Sequence, residues 1–227
     1  KSNRYMIVVA AGSGKRMGAS LPKQFLPLAG KPILMHTLQR VCDFDASIHI
    51  LLVLHPDYFD YWNSMVAAHQ FTAPHTLIAG GAERFHSVKA AIDSIDDTTA
   101  IVGIHDGVRP LVSSETLARC FATAEHMGNA VPVVSVNDSL RKVEGKSNSA
   151  VDRSSYRIVQ TPQCFQQHLL KTAFAQPYQP TFTDDASVVE AAGQAIHLVE
   201  GNRENIKVTS PEDLEWAAWA LSRRVGS

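Results

Sequence analysis

Hydrophobic and polar positions alternate between two periods along this chain. Short apolar runs rich in β-branched residues recur at 5–10, 48–54, 75–79, 100–105, 130–136, 196–199 and 206–209. Runs of that length bounded by turn residues read as buried strands. Between them, apolar residues recur at helical spacing over 33–43, 57–69, 84–95, 114–127, 166–175, 185–192 and 211–223, which predicts amphipathic helices. The last of these has a clear start signal in Ser210-Pro211-Glu212-Asp213: a hydroxyl to cap the first amides, then a proline where no amide donor is needed. Strands alternating with helices predict an α/β fold with a mainly parallel sheet covered on both faces.

One polar segment, about 137–160, interrupts the alternation. Two short alternating runs flank Glu144-Gly145-Lys146, the pattern of a β-hairpin. An isolated hairpin is marginal in water, so this protruding arm is expected to pack on something; the bland reading is a mobile surface excursion, and the sharper one is an arm gripping a second subunit. The 227 residues suit one well-buried domain, 1–227, with the arm as its excursion.

The first strand leads into Ala10-Ala11-Gly12-Ser13-Gly14-Lys15-Arg16-Met17-Gly18, followed by Pro22-Lys23-Gln24. Glycines let a backbone turn tightly and present successive amide donors. Lys15, Arg16 and Lys23 add fixed positive charge, and together these suit a polyphosphate. It is not a P-loop, because Arg16 stands where the magnesium-holding hydroxyl would follow Gly14-Lys15. Nor is it a dinucleotide fingerprint: the third glycine comes one residue late, and the second strand ends in His55-Pro56 rather than an acid. A nucleoside triphosphate loop is the reading that remains.

Formal net charge is -1, so no global field recruits nucleic acid or a membrane surface. Cys42, Cys120 and Cys164 are odd in number and widely spaced, which argues for reduced thiols and against a disulfide frame or zinc site. The ten histidines show no metal-ligand spacing, and no metal ligand is assigned. No apolar run approaches the roughly 20 residues of a membrane span, and no signal-like core precedes the first strand. A cytoplasmic protein is expected.

In open parallel sheets, ligands bind beyond the carboxyl ends of the strands. Three further clusters fall at such ends. Gly80-Gly81-Ala82-Glu83-Arg84 with Ser87 follows one run, His105-Asp106-Gly107-Val108-Arg109-Pro110 ends another, and Asn205-Ile206-Lys207-Val208-Thr209 places a lysine near the C-terminus. Each alone is ordinary loop chemistry; the fold would bring them to one edge.

Taken in order with Val151-Asp152-Arg153, Gln160-Thr161-Pro162-Gln163 and Thr183-Asp184-Asp185-Ala186-Ser187, these motifs resemble the 2-C-methyl-D-erythritol 4-phosphate cytidylyltransferase family over about residues 5–223. The resemblance implies a Rossmann-like, mainly parallel sheet of the nucleotide-diphospho-sugar transferase type, a homodimer joined through the arm, and transfer of CMP from CTP to a polyol phosphate. It implies Mg2+ held mainly by the CTP phosphates. Carried over by position, Arg16 and Lys23 would stabilise the transition state, while Arg153 and Lys207 would position the acceptor. Ala10, Ala11, Gly12, Gly14, Gly81, Ala82, Ser87, Asp106, Arg109, Ser139 and Thr183 would contact the substrates, with Arg153 reaching the partner's site. Ser139 keeps the hydroxyl of the family's common threonine. Ala82 stands where many members have an aspartate, so base selectivity would rest more on backbone groups and Ser87. Gly107-Val108 replaces the common Ala-Ala, and that departure brings in the related ribitol 5-phosphate cytidylyltransferases as the alternative.

Overall fold

The computed structural model describes residues 2–12 and 21–224. In chain order the elements are β1 (Arg4–Val9), β2 (Pro27–Leu28), β3 (Lys31–Pro32), α1 (Ile33–Phe44), β4 (His49–Leu54), α2 (Phe59–Ala68), β5 (Thr76–Ala79), α3 (Arg84–Asp93), β6 (Ile101–Asp106) and α4 (Ser114–Met127). Then come β7 (Asn129–Ser135), β8 (Leu140–Glu144), β9 (Ser147–Val151), β10 (Arg157–Val159), β11 (Gln163–Gln166), α5 (Gln167–Ala173), α6 (Asp185–Ala191), β12 (Leu198–Glu200) and α7 (Pro211–Arg224).

The main sheet runs β10-β7-β11-β6-β1-β4-β5, with β12 also on β7. Strands β6, β1, β4 and β5 are mutually parallel. Side-chain alternation in β1 sends Met6 and Val8 to one face and Ile7 to the other, and all three are fully buried. The first face packs on α1, α2 and α4 through residues such as Leu38, Trp62 and Phe121. The second packs on α3, α5 and α6 through Val88, Leu170 and Val189. These helices therefore bury the faces that their periodicity calls for.

Three departures from the sequence pattern have physical causes. The run at 206–209 is not a strand: Val208 is buried and donates its amide to the Val108 carbonyl at 2.9 Å, but no ladder forms. Its alternation reflects burial against β6's exit loop rather than sheet pairing. The helix expected from 166 begins at Gln167, because Gln163–Gln166 form β11, inserted antiparallel between β6 and β7. The stretch expected to be all arm also contains β10, which pairs antiparallel with β7 in the main sheet. Within the arm itself, β8 and β9 pair from Leu140↔Val151 to Glu144↔Ser147, and Gly145 takes the positive φ of 61° that the turn requires.

Candidate active site

The carboxyl ends of β5, β4, β1 and β6 open into one cleft of about 810 Å³. Ala10, Ala11 and Gly12 form its floor where the chain leaves β1. The Ala10 amide donates to the Val53 carbonyl at 2.9 Å, continuing the ladder one residue past the strand. Gln24, itself buried, donates from Nε2 to the Ala10 carbonyl at 2.7 Å and to the Gly12 carbonyl at 3.3 Å. It therefore fastens the floor to the short helical turn Lys23–Phe25. Phe25 is packed among Tyr58, Tyr61 and Trp62, and that anchor sets Lys23 on the cleft wall. Gly14 and Arg16 lie outside the described residues.

The wall beyond β5 depends on two glycines. A Cβ on Gly80 would stand 2.5 Å from the Ala11 Cβ, and one on Gly81 would stand 2.5 Å from the His86 Cβ. Only glycine lets this turn come so close. Ser87, 2 % exposed, accepts the Gly81 amide at 3.0 Å, so it braces the turn from beneath, and Ala82 lines the cleft beside it. Arg84, which is not among the site residues expected from the sequence, also lines the cleft. Its guanidinium is held bidentately by buried Asp185 at 2.7 Å on each arm. Burial pushes the Asp185 carboxyl up, and the guanidinium opposes that shift. The sequence signals for this pair are Gly80-Gly-x-Glu-Arg84 and the Asp184-Asp185 doublet.

Asp106 is the electrostatic centre. Its Oδ2 meets Arg109 Nε and Lys207 Nζ, each at 3.1 Å, and Oδ1 lies 3.9 Å from Arg84 Nη2. Burial alone would favour the neutral acid, but Lys207, Arg84 and Arg109 outweigh it and hold the carboxyl well below the usual range. Such a carboxylate is a poor proton acceptor; its contribution is fixed charge. Arg109 sits largely buried behind it, with Nη1 donating to the Asn205 carbonyl at 2.8 Å.

A neutral histidine supports this centre. His105 Nε2 is 3.1 Å from the Arg109 carbonyl and Nδ1 is 2.8 Å from Thr161 Oγ1. A carbonyl can only accept, so Nε2 carries the hydrogen, and the Thr161 hydroxyl donates to Nδ1. That leaves the hydroxyl oxygen to accept the Asp106 amide at 3.0 Å. Burial is the largest cause that lowers His105 to about 4, with Asp106 pulling the other way.

Arg153, Ser139 and Thr183 are not among the lining residues of the cleft. Ser139 precedes β8, and Arg153 lies exposed on the turn after β9, where Nη1 donates to the Asn137 carbonyl. Thr183 lies just before α6, two residues from Asp185. Among the described residues, no three His, Cys, Asp or Glu side chains gather into a metal-binding group, and no helix is long and apolar enough to cross a membrane.

The cleft therefore joins a close-packed glycine turn, a lysine on one wall, and a second lysine and an arginine partly neutralised by buried carboxylates. Phosphate oxygens can compete for those cations without proton transfer. Comparison with known proteins agrees with this chemistry. A family profile described as 2-C-methyl-D-erythritol 4-phosphate cytidylyltransferase matches residues 5–223. A relative of that description from Bacteroides thetaiotaomicron is 49% identical over 92% of this chain and 95% of its own, and one from Syntrophus aciditrophicus is 37% identical over 97% and 96%. The solved Thermus thermophilus structure of the same description superimposes with a TM-score of 0.75 at 32% identity, covering 98% of this chain and 100% of that one.

Proposed function

The chain belongs to the 2-C-methyl-D-erythritol 4-phosphate cytidylyltransferase family, and on that footing we propose how its cleft works. The enzyme transfers CMP from CTP to 2-C-methyl-D-erythritol 4-phosphate, giving 4-diphosphocytidyl-2-C-methyl-D-erythritol and pyrophosphate. A phosphate oxygen of the acceptor attacks the α-phosphorus of CTP as the bond to the β-phosphate oxygen breaks. The nucleophile is already ionised, so orientation and charge stabilisation are the main requirements.

The observation that carries this reading is that Lys23 and Lys207 line one cleft, with Asp106 at the β6 exit beside Lys207. The Ala10–Gly12 floor and the Gly80-Gly81 turn form the surface that receives the nucleotide. Lys23, with Arg16 as the resemblance implies, offsets charge that grows on the α-phosphoryl oxygens and the departing pyrophosphate. Lys207, steered by Asp106 and Arg109, receives the acceptor phosphate.

Magnesium and a homodimer complete the proposal. Mg2+ is commonly held by one or two carboxylates plus substrate phosphates. Asp106 is engaged by Lys207 and Arg109, with Arg84 near its other oxygen, so such a metal would be carried mainly by the CTP phosphates. When bound there, it would neutralise phosphate charge. On the arm, Val143 is 70% exposed, and Tyr156 and Ile158 beside its base are about half exposed. That apolar surface supports a second copy as its cover and Arg153 as a residue supplied in trans. A cytoplasmic setting is supported by the three free thiols.

Pyrophosphate release measured with each of four nucleoside triphosphates and with methylerythritol or ribitol phosphate tests the whole reading. Turnover is expected with CTP and methylerythritol phosphate. Preference for ribitol 5-phosphate, or for another nucleotide, would overturn it.

A further inference from the structure

We infer that Asn205 is a positioning residue for the acceptor half of the reaction: its buried carboxamide sets where Lys207 stands beside Asp106. The inference rests on the proposed reading in which Lys207 receives the acceptor phosphate. Asp106 and Lys207 lie on the β6 flank of the cleft. Asp106 is placed by β6 itself, whereas Lys207 lies between β12 and α7 and belongs to neither helix nor strand. No ladder sets its height above the cleft. A lysine carries a point charge on a flexible four-carbon stem, so its backbone must be held in some other way.

Two fastenings bracket it. On one side the Val208 amide donates to the Val108 carbonyl at 2.9 Å. On the other, Asn205, which is fully buried, donates from Nδ2 to the Thr161 carbonyl at 2.8 Å. Thr161 is itself tied to the carboxylate, because its hydroxyl accepts the Asp106 amide at 3.0 Å. Lysine and aspartate are thus registered against one residue. The Asn205 carbonyl closes the circuit by accepting Arg109 Nη1 at 2.8 Å, while Arg109 Nε and Lys207 Nζ both reach Asp106 Oδ2 at 3.1 Å. Without the carboxamide, the Thr161 carbonyl loses its donor and the chain just before Lys207 loses its side-chain tie. A misplacement of about 1 Å, made away from the chemistry, can cost about a hundredfold in rate.

The test uses Asn205→Ala, which removes the amide, and Asn205→Leu, which keeps a side chain of similar shape but offers no donor. Each is assayed as the full-length enzyme with CTP and 2-C-methyl-D-erythritol 4-phosphate. KM for the acceptor should rise and its kcat/KM should fall by about tenfold to a hundredfold, with KM for CTP unchanged. A variant that has merely lost folded enzyme lowers kcat and leaves both KM values where they were. The second readout is a double-mutant cycle with Lys207→Ala. If the amide acts by placing Lys207, Asn205→Leu should cost much less in the Lys207→Ala background than it costs alone. If Asn205→Ala fails to fold, Asn205→Leu decides. Fully additive losses, an acceptor KM that does not move, or KM values for both substrates that rise together would overturn the inference. Failure of both variants to fold would overturn it too, because the amide would then serve the fold and not the site. All these results leave the proposed function standing. A Lys207→Ala enzyme with normal acceptor kinetics would instead overturn the role proposed for Lys207, and this inference with it.

Discussion

Lys23 and His105 show how burial divides the work of single residues around one cleft. Lys23 lies on the cleft wall, and in the proposed reaction it would meet charge that develops at the α-phosphoryl group, so its effect would belong to the transition state. Lys23→Ala should lower kcat by about 10²–10³, the size of one lost electrostatic contact, with a smaller change in CTP affinity. Steady-state kinetics with varied CTP would reveal a mere binding role as a raised KM at normal kcat. His105 acts from inside. Its folded value is lowered to about 4 from 6.5, so between those values the unfolded chain binds the proton that the folded one refuses. Stability must then fall as pH drops from about 6.5 toward 4, by about 3 kcal/mol in all, taking 1.36 kcal/mol per unit. Asp106, with its carboxyl held below the ordinary carboxylate range, contributes stability that is present above that range and is lost only at lower pH. Urea unfolding across the His105 window should show the slope, and His105→Gln, which keeps a donor for the Arg109 carbonyl, should remove much of it. An unchanged slope in that variant would mean that another group carries the proton.

At the scale of elements, the site depends on how closely strand ends approach one another. The β5 exit comes within van der Waals reach of the β1 exit only because Gly80 lacks a Cβ. Gly80→Ala should push the turn away from Ala11 and Ser87, at a cost of about 1–3 kcal/mol typical of overpacking. KM for CTP should rise more than KM for the acceptor, since the β6 flank lies on the far side of β4 and β1. Thermal melts and the two KM values measure this, and a stable variant with normal CTP use would show that the turn has slack. The capping box at Asp184 and Ser187 fixes the start of α6, which is how Asp185 comes to face Arg84 from a distant part of the chain. Much of this edge is legible in the sequence: Gly80-Gly81, Asp106 and Lys207 fall at the chain positions that the fold does bring together. Arg84 is legible only as a member of the Gly80–Arg84 cluster; its pairing is not, because its buried partner lies 101 residues away.

On the scale of the whole molecule, the proposed dimer makes a prediction that no single-chain reading shares. If the arm completes the partner's site, subunits carrying Arg153→Ala mixed with subunits carrying Lys23→Ala should form heterodimers with one doubly altered site and one intact site. Activity should recover to roughly half the wild-type value per heterodimer, as counting over a two-fold interface requires. Subunit exchange shown by mass spectrometry with no recovery would place Arg153 in its own chain's function. Arg153→Ala alone should raise KM for the polyol phosphate and spare CTP, because a guanidinium grips phosphate bidentately.

Local pattern determined a great deal here. Alternation of periods set the order of strands and helices, the polar break at 137–160 marked the arm, and glycine and charge at strand ends marked the cleft's rim. These are properties of neighbouring residues, which periodicity and turn chemistry express directly. Tertiary structure alone decided the rest. It inserted β11 antiparallel between β6 and β7, where Cys164 and Phe165 are fully buried, and it left 206–209 outside any ladder. It also set Lys207 3.1 Å from Asp106 and made His105 a buried neutral brace. The reason is common to all four: each depends on which distant surface covers a residue, and burial, unlike periodicity, is settled by the packed molecule.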